Sequence, residues 1–151
     1  MTMDIINDML KTVTGITSGL WPEPSAKPEL VEGRLRPCPG TPNCVCSEHS
    51  GSPEWVEPLG FREMSPDEAW KFLKEVIGTM DGEVKNEQEG YLWSTFTVPV
   101  FGFVDDVEFR MDASEAVIQV RSASRLGFSD LGVNRGRVEE FRRRFAGRIG
   151  G

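Results

Sequence analysis

Two dense loops hold most of the residues able to do chemistry. The first, CPGTPNCVC, sets Cys38, Cys44 and Cys46 within nine residues, followed by His49, the single histidine of the chain. Turns at Pro39-Gly40 and Pro42-Asn43 would let Cys38 and Cys44 form a disulfide that staples the loop. The same residues offer a Cys3His metal set, although the C-x5-C-x-C-x2-H spacing lacks the paired C-x2-C knuckles that suit a tetrahedral ion. Inert thiols are the third reading. Any Cys-His or Ser-His-Asp mechanism would have to recruit His49.

The second stretch, RSASRLGFSDLGVNR, spans residues 121–135. Arg121, Ser122, Ser124, Arg125, Ser129, Asp130, Asn134 and Arg135 concentrate guanidinium, hydroxyl and amide groups beside a helix start, where free N–H groups and the helix dipole favour an anion such as phosphate or carboxylate. The competing reading is a self-satisfied network in which Asp105, Asp106 and Glu108 of the preceding strand pair with these arginines. Neither G-x-x-x-x-G-K-[ST] nor G-x-G-x-x-G occurs, so the nucleotide fingerprints are missing. Asp105 and Asp106, as strand neighbours, point to opposite faces and do not make an acid–base pair.

The elements that would hold these loops are legible from periodicity. SPDEAWKFLKEVIGTMDG carries a capping box at Ser65, Pro66 and Glu68, with Ala69, Phe72, Leu73, Val76 and Ile77 on one helical face and Gly82 as a stop. EVKNEQE, YLWSTFTV, VDDVEFRM and EAVIQVRS read as four antiparallel strands, the last three with one-sided alternation. WVEPLGF could add a short edge strand interrupted by Pro58. A closing helix is expected over 134–148, with Val138, Phe141, Phe145 and Ile149 inward. From Leu20 to Pro58 eight prolines forbid long helices and central strands, so this stretch reads as an extended wrapping segment whose WPEPSAKPELVEG part is linker-like.

With 151 residues and 38% apolar content the chain suits one core. Its formal charge of −7 hides an asymmetry: residues 121–151 hold eight arginines against three acids, while the rest is strongly acidic. That acid excess argues against nucleic-acid binding. No apolar run can span a bilayer as a helix. The N-terminus carries Asp4 and Asp8 where an export signal needs basic residues. Ile5, Ile6, Met9, Leu10 and Val13 recur at helical spacing, which suggests a short amphipathic helix that docks on the domain or a partner.

PCPGTPNCV at 37–45, DDVEF at 105–109 and VRSASRLGFSDLGVNRGRVEEF at 120–141 together resemble the family called domain of unknown function 1499, over about residues 35–145. The resemblance marks Cys38, Pro39, Pro42, Asn43, Cys44, Asp105, Asp106, Arg121, Ser122, Ser124, Arg125, Gly127, Ser129, Asp130, Gly132, Asn134 and Arg135. At Cys46 the family pattern looks more like Ser. The resemblance implies no reaction, cofactor or substrate, and similar proteins are often exported or membrane-associated.

The expectation is therefore an α+β two-layer sandwich: an antiparallel four- to five-stranded sheet covered on one face by two helices, preceded by an N-terminal helix and a Pro-rich extended segment. Residues 1–34 would be helix and linker, and 35–151 a single domain. Function is expected to be that of a non-enzymatic binding or interaction domain, recognising an anionic ligand or partner protein through the 121–135 connection with Asp105 and Asp106. The alternatives are a thiol-based redox or metal-binding protein using Cys38, Cys44 and Cys46, and a structural module that forms homo-oligomers through the N-terminal helix. No cofactor and no bound metal are expected. The absent export signal suggests a cytoplasmic location, with an exported or membrane-associated one as the alternative.

Overall fold

Ser65 caps the first helix as its sequence requires: its hydroxyl accepts the Glu68 amide at 3.1 Å, and Pro66 takes the first helical position. The computed structural model describes residues 27–98, 102–125 and 132–150. In chain order the elements are β1 (Cys44–Cys46), β2 (Leu59–Gly60), α1 (Pro66–Thr79), β3 (Glu83–Gln88), β4 (Tyr91–Thr97), β5 (Val104–Asp112), a 3-10 turn at Ala113–Glu115, β6 (Val117–Ser124) and α2 (Val133–Gly150). The helix expected in the first 15 residues, together with Ser129 and Asp130, lies outside the described residues.

Among the described residues this is a mixed fold with a large antiparallel sheet and two helices, but the sheet has six strands rather than four to five. The order is β1-β6-β5-β4-β3, and β2 pairs with β6 beside β1. β1 pairs Cys44 with Ala123, Val45 with Ser122 and Cys46 with Arg121. Three residues between prolines and a loop show no readable alternation, and this strand forms because β6 offers it a complete ladder edge. β2 keeps only two residues of WVEPLGF, since Pro58 has no N–H to donate.

Alternation along β4, β5 and β6 sorts their side chains cleanly. Leu92, Phe96, Val107, Phe109, Ile118 and Val120 point to one face, where they pack with Ala69, Leu73, Val76 and Ile77 of α1 and with Val138, Phe141 and Phe145 of α2. Phe141 meets both Phe109 and Phe96 edge to face, with centroids 5.2 Å and 6.1 Å apart. Gly82 is needed because a Cβ there would collide with the Phe96 ring. The opposite face carries Tyr91, Trp93, Asp106, Glu108, Arg110, Gln119 and Arg121, and the segment leading into β1 lies over part of it. Leu35, Cys46 and Tyr91 form a small second cluster there, with Leu30, Cys38 and Trp93 against it. Pro28, within the stretch read as linker, is buried.

Candidate functional site

The strap, the segment from Leu30 into β1, is held to the sheet by buried ionic contacts. Glu108, completely buried, accepts from Arg36 at 3.2 Å and from the Tyr91 hydroxyl at 2.9 Å, and lies 3.7 Å from Arg121, its cross-strand partner. Arg121 also donates through Nε to the Arg36 carbonyl at 3.0 Å. Burial and the Glu108 carboxylate together drive the Tyr91 hydroxyl far above its ordinary pKa. A second carboxylate, Glu48, accepts from Arg110 through both oxygens, at 2.6 and 2.9 Å, and from the Leu35 amide at 2.7 Å. Cys38 and Cys44 are joined by a disulfide, which ties the strap to β1.

Burial alone would raise the Glu48 pKa, but the bonds from Arg110 and Leu35 outweigh it and hold the carboxyl below its usual range. A depressed folded-state pKa means that this contribution is complete above the unfolded value, about 4.3, and is lost as pH falls through the folded one. The urea midpoint is thus expected to decline as pH goes from about 5 to about 3, with a shallower decline in Glu48→Gln. An unchanged slope in that variant would contradict the assignment.

Beyond the disulfide the Cys-Pro loop meets the end of β6. Asn43 and Ser124 form a reciprocal pair: the Ser124 amide donates to the Asn43 carbonyl, and Asn43 Nδ2 to the Ser124 carbonyl, both at 2.9 Å. Thr41 donates to Asn43 Oδ1. From α2, Asn134 Nδ2 donates to the same Asn43 carbonyl at 3.1 Å, while its Oδ1 accepts from Ser122 at 2.6 Å and from Arg137 at 2.9 Å. Arg137 also holds Asp105 at 2.8 Å. On the opposite face Asp106 receives both Nε and Nη2 of Arg125, each at 3.0 Å, and the Trp93 indole N–H at 2.9 Å. Main chain and side chain therefore join three elements in one rim, at the end of the sheet where β6 gives way to α2.

This geometry brings Cys38, Cys44, Ser122, Ser124, Arg125, Asn134, Asp105 and Asp106 to the junction but splits them between the two sheet faces. It does not gather the arginines around one anion. Arg121 lies inside, on Glu108 and the Arg36 carbonyl. Arg125 is on Asp106. Arg135 donates to the carbonyls of Trp55 and Pro53, at 3.1 and 2.9 Å, and fastens the first turn of α2 to the loop before β2. Much of the connection's hydrogen-bonding capacity is used inside the chain. Reasoning from sequence missed Arg36, Glu48, Tyr91, Trp93 and Arg137; only Arg137 carried a signal, three residues after Asn134 on the same helix side.

The Cys3His set is not assembled, because Cys38 and Cys44 are bonded to each other and His49 Nε2 lies 3.3 Å from the Leu35 carbonyl. Among the described residues no group of three or more His, Cys, Asp or Glu is placed to hold a metal ion. Cys46 is free and buried, and burial raises its thiol pKa. Among the described residues no helix is long and apolar enough to cross a membrane. A groove of about 710 Å³ between α1 and the β3–β4 hairpin, lined by Trp70, Lys71, Lys74, Glu87, Gly90 and Met111, includes none of the residues expected to bind.

No match is found among curated proteins or among solved structures. The family model described as protein of unknown function (DUF1499) matches residues 34–145, well over half of the chain, and the chain belongs to that family.

Proposed function

We propose that the protein is a non-catalytic binding module whose recognition surface is the rim between the disulfide-closed loop and the end of β6, with Arg125 as its anion-reading group. The observation that carries this reading is the Asn43–Ser124 pair, which joins two polar motifs some 80 residues apart in sequence into one surface. Functional groups commonly sit on loops fixed by a rigid scaffold. Here the scaffold is a two-layer α+β sandwich with helices over one face and the strap on the other. Arg125 commits two of its five N–H groups to Asp106, and its side chain keeps about a fifth of its surface exposed. A ligand carboxylate or phosphate would bind the remaining donors while Asp106 fixes the guanidinium plane. Arg121 holds the strap and Arg135 the loop before β2, so neither is assigned to the ligand.

The test is a titration of the natural chain with acetate and with inorganic phosphate, followed by amide and guanidinium NMR shifts. Saturable shifts confined to Thr41, Ser124 and Arg125, abolished in Arg125→Ala, are expected. In the same variant unfolding stability should fall by about 1–3 kcal/mol, because the Asp106 carboxylate left behind is buried but keeps the Trp93 indole donor. Linear, non-saturating shifts spread over the surface would overturn the reading. A stability loss several times larger would mark Arg125 as an architectural residue.

The Cys38–Cys44 bridge also bears on location. Disulfides persist most readily outside a reducing cytosol, which favours the exported alternative over the cytoplasmic expectation.

A further inference from the structure

We propose that the groove between α1 and the β3–β4 hairpin is a binding site for a neutral oligosaccharide, with the Trp70 ring as its stacking platform. The site is distinct from the rim. Met111, which lines the groove, and Asp105 at the rim stand near opposite ends of β5, roughly 20 Å apart along the strand. The groove's volume of about 710 Å³ falls within the roughly 300–1,000 Å³ of small-molecule sites.

The platform is built into the joint between helix and hairpin. Trp70 packs against the main core and also lines the groove, so part of the ring is anchored while part borders the open space. Its indole N–H donates to Glu87 Oε2 at 2.9 Å, and Lys74 Nζ meets both oxygens of the same carboxylate, at 3.2 and 3.4 Å. The bond from Trp70, the larger effect, and that from Lys74 outweigh burial and hold the Glu87 carboxyl below its ordinary pKa. The acceptor that orients the indole therefore stays ionised at neutral pH. On the hairpin side Gly90 turns with φ 74°, and its carbonyl accepts the Met111 amide at 2.9 Å, which fastens the turn to β5. A ring held in this way loses little freedom when a ligand lands on it.

The lining selects the ligand by its chemistry. One face of a sugar ring is a layer of C–H groups, which suits the electron-rich face of an indole. Its edge carries hydroxyls that both donate and accept. Asp67 and Glu89 supply acceptors, Lys71 supplies donors, and the Gln88 amide supplies both. Three acids against two lysines line the groove, and Lys74 is already spent on Glu87. A phosphate or uronate would meet the acid excess, and a cationic ligand would meet the lysines. A hydrocarbon would strip water from these charges and replace none of its hydrogen bonds. An uncharged polyhydroxylated chain avoids all three penalties.

The test is a titration of the full chain with cellotetraose, maltotetraose, laminaritetraose, N-acetylchitotetraose and, as the anionic counterpart, tetragalacturonate. NMR follows the Trp70 indole and the Gln88 and Gly90 amides. Saturable shifts at all three with at least one neutral probe are expected. That probe should bind about tenfold more weakly to Trp70→Ala and lose less in Trp70→Phe, which keeps a ring. If Trp70→Ala does not fold, Gln88→Ala, at an exposed position, decides instead, with an expected loss of about three- to tenfold. Unchanged affinity in the deciding variant would overturn the proposal. So would the absence of saturable shifts with every neutral probe, shifts confined to the rim around Arg125, or tetragalacturonate binding as tightly as the neutral chains. Acetate and phosphate report on the rim and these sugars on the groove, so either reading can fail alone.

Discussion

Glu108→Ala is expected to lower unfolding stability by about 3–5 kcal/mol, the range for removing one member of a buried charge pair. The side chain has no exposed surface and holds together groups from three parts of the chain: Arg36 on the strap, Tyr91 on β4 and Arg121 across the ladder on β6. Alanine would leave two guanidinium groups and a phenol without their shared acceptor, and Arg121 is itself buried. The penalty comes chiefly from these stranded partners rather than from the lost attraction. A double-mutant cycle with Arg36→Ala separates the two effects. The second substitution removes one of the stranded cations, so the combined loss should fall below the sum of the single losses. Urea unfolding with both variants checks this, and a single-variant loss under about 1 kcal/mol would mean that the strap is not latched through Glu108.

How much of this arrangement could be read beforehand depends on the range of the interaction. α1 was legible because its cap, first-turn proline and apolar spacing are all local, and the same holds for the alternation that sorted Val107, Phe109, Ile118 and Val120 from Glu108 and Arg121. That acids of VDDVEFRM would face the strand of Arg121 followed from placing it beside EAVIQVRS, whereas the register that sets Glu108 opposite Arg121 did not. β1 was not legible. CVC has no period of its own, and its strand conformation comes from β6, about 75 residues later. Glu48 and Arg36 were invisible for a related reason: their partners, Arg110 and Glu108, lie 62 and 72 residues away, and a proline-rich segment gives no pattern from which such a register follows. Residue types in 121–135 correctly marked a junction rich in donors. The acceptors were hidden in the main chain of Arg36, Asn43, Pro53 and Trp55, which composition does not reveal.

Phe141→Ala is expected to reduce stability by a comparable amount, about 3–5 kcal/mol, through cavity formation. Its ring is completely buried and touches Phe109 on β5 and Phe96 on β4, so truncation opens a void bounded by three rigid elements that cannot all close in. Phe141→Leu, which fills part of that space, should lose clearly less. Because a loss of 1 kcal/mol moves the melting temperature of a chain this size by roughly 2–4 °C, thermal unfolding should separate the two variants. The rim makes the effect informative beyond stability. α2 carries Phe141 on the same element as Asn134 and Arg137, whose side chains clamp Asn43, Ser122 and Asp105. A helix held less firmly by its phenylalanine should therefore loosen the clamp, so that amide exchange at Ser124 quickens along with exchange in the core. Glu108→Ala acts from the opposite face, where the groups it strands belong to the strap and its neighbours. Exchange should then quicken first at Leu35 and Cys46, with Ser124 following only at global unfolding. If both variants instead loosened the same amides in the same order, the two faces of the sheet would form one cooperative unit, and the separation between a clamped rim and a latched strap would fail.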